Sequence, residues 1–157
     1  MGDMLVRLYD LPSLDPVLAA QHTEGIDIRR ALAPEKHLVT QWVAAHFSAF
    51  WQSETEVAFA AQPATIFIAT QAQQLIGFAA YDVVRKAMFG PTGVAESARG
   101  KGTGKALLLA ALHAMWWDGY AYGIIGGVGP AEFYEKAVGA TLIAGSDPGI
   151  YRGMLKK

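Results

Sequence analysis

The hydrophobic positions change period along the chain, and the changes predict its elements. Ile26 to Leu32 alternates Ile, Ile and Ala against Asp and Arg, the two-residue period of a strand. Pro34 then suits the first turn of a helix, and Leu38, Trp42 and Ala45 recur at helical spacing. A second helix is expected over Glu54 to Ala61, stopping before Pro63. Thr65 to Thr70 and Leu75 to Val84 are β-rich runs around the polar segment 71–74, which predicts an antiparallel hairpin. Met88 to Val94 reads as a further strand, bent at Gly90-Pro91. From about Thr103 to Trp117 an apolar stretch reads as a buried helix that ends near Gly119, with Trp116 and Trp117 expected in the core. Tyr122 to Ile125 is a short buried strand, and Ala131 to Val138 a short helix that Pro130 can start. Thr141 to Ala144 and Ile150 to Leu155 are expected as terminal strands.

Residues 1–24 have weak periodicity and two prolines, and are expected to form an N-terminal arm packing on the domain or on a partner subunit. Residues 25–157 are expected to form a single domain. Antiparallel strands come first and a strand–helix–strand unit follows. That order predicts an α+β fold, an α/β three-layer arrangement whose central sheet is mixed but mostly antiparallel and is flanked by helices.

Composition narrows the class. A chain of 157 residues, 52% hydrophobic and 17% charged, fills one packed core. A net charge of -1 argues against a nucleic-acid partner, which needs a basic face. Without cysteine, disulfides, thiolate metal sites and cysteine nucleophiles are excluded. His22, His37, His46 and His113 share no ligand spacing with carboxylates, so no metal is expected. The N-terminus lacks the apolar core of a signal peptide, and no apolar run reaches spanning length. A cytoplasmic protein with no membrane partner is the expectation.

The chemistry concentrates between Val94 and Leu109. An extended segment enters a turn with glycine at 100, 102 and 104, and the long apolar helix follows. Such a turn offers bare N–H groups at a helix start, where the macrodipole is positive and no side chain keeps an anion away. Arg99, Lys101 and Lys105 add positive charge. The spacing fails the G-x-x-x-x-G-K-[ST] phosphate loop in both registers, and fails the G-x-G-x-x-G dinucleotide pattern. It fits R-x-x-G-x-G, as Arg99, Gly102 and Gly104.

This loop resembles the acetyl-coenzyme-A loop of the GCN5-related N-acetyltransferases, the GNAT superfamily, whose signature is Q/R-x-x-G-x-G/A. A second segment agrees: Phe133-Tyr134-Glu135-Lys136 followed by Gly139-Ala140 is similar to the family's F-Y-x-K-x-G-F, about thirty residues downstream. The resemblance covers roughly residues 25–155. It departs at Gly127 and Pro130, where the family often has Asn and Ala, at Ala140 for Phe, and at Glu96 for Pro.

The resemblance implies a GNAT-like fold, splayed between the middle strands, and transfer of an acetyl group from acetyl-CoA directly to a primary amine of a small-molecule or peptide acceptor. It assigns cofactor contacts to Val94, Ala95, Arg99, Gly100, Lys101, Gly102, Thr103, Gly104, Lys105 and Phe133. The pyrophosphate is expected on the N–H groups of residues 100–105, helped by the Thr103 hydroxyl. The pantetheine arm is expected to pair with backbone at residues 93–95. A backbone N–H near Val94 is expected to stabilise the oxyanion, and Tyr134, matching the family's tyrosine, to protonate the leaving thiolate. The base is left open among Glu96, Asp82 and an ordered water. Trp42, Trp51 and Tyr151 either line an acceptor pocket or pack the core. The departures keep two alternatives in play: a CoA-binding sensor that has lost catalysis, and an acyltransferase with a different acyl-CoA donor. A homodimer is also an expectation.

Overall fold

The computed structural model describes residues 1–156. Seven strands form one sheet: β1 (Met4–Arg7), β2 (Ile26–Arg30), β3 (Ile66–Gln71), β4 (Gln74–Tyr81), β5 (Met88–Val94), β6 (Tyr122–Ile125) and β7 (Thr141–Leu142). Their order in space is β2-β3-β4-β5-β6-β1-β7. The β5–β6 pair is parallel and every other pair antiparallel. The mixed, mostly antiparallel sheet is therefore as expected. The helices are α1 (Asp15–Thr23), α2 (Lys36–His46), α3 (Ala49–Ala58), α4 (Thr103–Trp117) and α5 (Ala131–Val138).

The sheet is covered on both faces, and β4 shows it residue by residue. Phe78 and Ala80 enter one core with Val39 and Val43 of α2 and Ala58 of α3. Ala79 and Tyr81 enter the other, with α4 and with Tyr134, Ala137 and Val138 of α5. A strand with two buried faces reads as a continuous apolar run, because each alternating set needs its own apolar layer. α4 is the spine of the larger core, with ten of its side chains buried from Thr103 to Met115.

Four local expectations are corrected. Residues 1–24, expected as an arm packing on the domain, supply a strand of the sheet itself. Met4 and Val6 are fully buried in β1, which lies between β6 and β7, and α1 follows. Trp116 and Trp117, in the last turn of α4, are 43% and 68% exposed, whereas the helix's buried residues end at Met115. The second helix begins at Ala49, with Ser48 as its N-cap accepting from Trp51 N at 3.2 Å. Residues 149–151 form a 3-10 turn after Pro148 rather than a strand, and β7 is only two residues long.

β5 and β6 run together only at Met88–Ile124 and Phe89–Ile125. Past Phe89 the strands part. β5 continues to Val94 on β4, with a register shift between Ala79 and Tyr81, while β6 ends at Ile125 and gives way to Gly126 and Gly127. A wedge opens between them. No helix among the described residues is long and apolar enough to cross a membrane.

Candidate functional site

Beside the wedge, a cleft of about 450 Å³ runs along residues 92–94 of β5, and one of its walls is the glycine turn. Val94, Arg99, Gly100, Gly102, Thr103, Gly104 and Lys105 line it, and Phe133 and Tyr134 of α5 face them. Of the residues expected to act here, it thus gathers nine. Gly100 and Gly102 have φ of +90° and +77°, the left-handed region that L side chains avoid. Those two turns bring the chain from the end of β5 onto the axis of α4. The first intrahelical bond runs from Ala106 N to Gly102 O at 3.1 Å, and no side chain caps this terminus. The N–H groups of Thr103, Gly104 and Lys105 have no intrahelical acceptor to reach.

The turn is held from behind by a residue that the sequence reading did not single out. Gln21 of α1, 4% exposed, donates from Nε2 to Lys101 O at 2.7 Å and accepts from Thr103 Oγ1 at 2.7 Å. The Thr103 hydroxyl therefore points its proton at Gln21 and away from the cleft, contrary to the expectation that it donates to a phosphate. A side-chain amide carries both a donor and an acceptor, and so satisfies the loop carbonyl and the hydroxyl together. Nothing in the sequence around Gln21 marks it, since one buried polar position on a nine-residue helix has no periodic signature.

Three expected residues lie off the cleft. The carbonyl of Lys101 turns inward to Gln21, and its side chain is exposed. Ala95 is buried behind the strand end, its N–H bonded to Ile76 O at 2.8 Å. Glu96 opens a 3-10 turn, is exposed, and does not line the cleft. Asp82 is committed elsewhere: its carboxylate accepts from Ala87 N at 2.8 Å and Tyr120 Oη at 3.0 Å. Arg99 lies along the strand end, Nε donating to Val94 O at 3.4 Å.

Tyr134 is 7% exposed, and burial raises its phenol above the ordinary 10. It lines the glycine-turn cleft and also a second cavity of about 270 Å³ in the wedge, which it shares with Trp51, Phe89, Pro91 and the segment 125–130. That second cavity continues into a third, of about 540 Å³, through Trp51, Phe89, Gly90, Pro91, Gly126 and Gly127. The third cavity is walled further by Phe50, Glu54, Val84, Met88, Tyr151 and Met154. Trp51 and Tyr151 therefore line this cavity, whereas Trp42 packs edge-on to Phe78 against the smaller core and lines a separate cavity with Leu38, His46 and Leu75. One face of β5 is closed off by an aromatic lid: Phe47 lies so close to Gly93 that a Cβ there would enter its ring. The opposite, unpaired edge of Thr92 to Val94 is what the cleft exposes.

Comparison with known proteins gives the same reading of the fold. A family model described as an acetyltransferase (GNAT) domain matches residues 62–137, just under half of the chain. No curated protein sequence matches. Among solved structures, the GCN5-related glucosamine N-acetyltransferase region of a fungal multidomain GH3 β-N-acetylglucosaminidase superposes with a TM-score of 0.74 at 16% identity, over 90% of this chain and 19% of that one. A GCN5-related N-acetyltransferase from Sphaerobacter thermophilus gives 0.68 at 19% identity, over 90% of this chain and 48% of that one. A GNAT family acetyltransferase from Brucella melitensis, in complex with acetyl-CoA, gives 0.54 at 20% identity, over 75% and 86%. The chain thus spans less than half the length of the first two.

Proposed function

We propose, from the premise that residues 62–137 belong to a GNAT acetyltransferase domain within a chain of GNAT fold, that this protein transfers an acetyl group from acetyl-CoA to a primary amine. The observation that carries the reading is the uncapped start of α4. Its glycine turn opens into a cleft that passes the unpaired edge of β5 and ends at a buried tyrosine.

The residues present fit such a cosubstrate. The N–H groups at residues 102–105 and the positive end of α4 suit a pyrophosphate, and Gly100 and Gly102 leave it room. Arg99 and Lys105 flank the turn with further charge. The free edge at residues 92–94 offers strand-type hydrogen bonds to the amides of a pantetheine arm. The thioester supplies an electrophilic carbonyl and a thiolate leaving group. Attack of the amine nitrogen forms a C–N bond and pushes charge onto the carbonyl oxygen, which a backbone N–H of the Val94 region stabilises. As the C–S bond breaks, Tyr134 donates its phenolic proton to the sulfur. The raised affinity of this phenol for its proton keeps it in the acid form at neutral pH. The amine's proton leaves to water in the wedge, since Asp82 is committed and Glu96 lies off the cleft.

A thiol-release assay over a panel of amines, with calorimetric titration of CoA, tests the reading. Turnover with at least one amine and CoA binding are expected. Silence across the panel together with no CoA binding would rule it out.

A further inference from the structure

The 540 Å³ cavity that continues outward from the wedge has a composition that selects for charge. Phe50, Trp51, Met88, Phe89, Pro91 and Tyr151 make its walls mostly apolar, and Glu54 is the single charged residue among them. Glu54 is half-buried on α3, one turn after Trp51. Among the described residues it has no ion-pair partner. Desolvation raises its carboxyl above the ordinary value, and no neighbouring cation offsets this. Arg85 shares an adjoining cavity of about 370 Å³ with Glu54 but does not line the 540 Å³ one, and it forms no ion pair with Glu54: its Nη1 donates to Val84 O at 2.9 Å. A partly desolvated, unpaired carboxylate costs stability, and a cation that enters the cavity relieves that cost.

Position then separates this carboxylate from the reaction. Tyr134 lines the wedge cavity but not the outer one, and Glu54 lines the outer one but not the wedge. Trp51, at a lower turn of the same helix, lines both. A group held on Glu54 is therefore not the nitrogen that attacks beside Tyr134.

We propose that Glu54 anchors a second positive charge on the acceptor, so that the acceptor is a compact diamine-type cation: one amine reacts in the wedge, an apolar spacer lies along Trp51 and Phe89, and the far ammonium rests on Glu54. This deepens the proposed acetyl transfer and rests on it for the reacting end.

The test is a series of α,ω-diamines of three to seven carbons, each paired with the linear monoamine of equal length. Calorimetry on CoA-loaded protein reads binding, and thiol release reads kcat/KM. At the best length the diamine is expected to exceed its monoamine at least tenfold in both readings. In Glu54→Gln that ratio is expected to fall below threefold. Glu54→Asp retains the charge but shortens its reach, and should move the optimum to a longer diamine. Monoamines equal to or better than diamines at every length would overturn the proposal. So would a ratio unchanged in Glu54→Gln, or an equal loss of kcat for both amine types in that variant, which would make Glu54 the base. A separate CoA titration of the wild type distinguishes the two levels: no CoA binding sinks the acetyl-transfer reading, whereas CoA binding without diamine preference sinks this one alone.

Discussion

Gln21 and Thr103, eighty-two residues apart in sequence, share a buried hydrogen bond of 2.7 Å, and the same amide holds the carbonyl of Lys101. The glycine turn is thereby fixed from the side opposite its cleft, which leaves its N–H groups free for a ligand. Gln21→Ala strands a part-buried carbonyl and a buried hydroxyl at once. The expected cost is about 1–3 kcal/mol of stability, read by chemical denaturation. A loosened turn should also weaken CoA binding about tenfold, read by calorimetry. An unchanged CoA affinity in a folded Gln21→Ala protein would show that the turn holds its shape unaided.

Gly102 and Gly104 should respond in opposite ways to alanine. Gly102 has φ of +77°, so a Cβ costs about 1–2 kcal/mol whatever the space around it. Gly104 is helical, and a Cβ there meets Val94 Cγ2 at 3.8 Å, an ordinary contact. Gly104→Ala should therefore raise stability by about 0.5–1 kcal/mol. Both variants should still bind CoA less tightly, because each puts a methyl group or a changed backbone where the phosphates need to come close. Paired thermal melts and CoA titrations check the split between fold and affinity.

Tyr134→Phe should cut kcat about a hundredfold, the low end for loss of a general acid, and leave CoA affinity nearly intact. The pH dependence has a definite sign. Burial raises the phenol above 10, so its proton is present through neutral pH and is lost only as pH rises through that elevated value. The activity that depends on this proton should thus persist to at least pH 10, and a pH–rate profile of the wild type checks it.

A fourth expectation concerns the rim of β2. Arg29 grips Glu35 with two bonds of 2.8 and 2.7 Å, and Leu32 N adds a third of 2.7 Å. The Arg29 bonds come first among the causes that hold the Glu35 carboxyl down at about 2. A depressed carboxyl contributes stability above its unfolded value and loses it as pH falls toward the folded one. Glu35→Gln should therefore lower stability at pH 7, by no more than about 1 kcal/mol because the pair is solvent-screened. The difference should close between roughly pH 4.5 and pH 2. Denaturation at several pH values, repeated at high salt, measures it.

How far the sequence could be read follows from where local pattern and tertiary burial agree. The bounds of α4 were legible, because glycines and a long apolar run are local signals, while the splay between the middle strands was expected only from the family resemblance. β1 was not legible. Four residues, M-L-V-R, are too short to show a period, and what makes them a strand is the pairing with β6 and β7. The exposure of Trp117 was hidden for the converse reason: α4 is apolar all round, so nothing in its sequence distinguishes the turn that leaves the core. In the candidate site, the glycine turn and the Phe133-Tyr134 pair announced themselves as motifs. Gln21 and Glu54 did not, since each draws its role from a neighbour supplied by a distant part of the chain.

The place of β1 in the sheet also dictates an order of assembly. Strands β2 to β5 are neighbours in sequence as well as in space, and can zip together as they emerge during synthesis. Met4 finds its partners Ile125 and Leu142 only after the strands and helices between them have been made. Until then β6 has one side unpaired, and the half of the sheet beyond the wedge waits for β1 to return and close it.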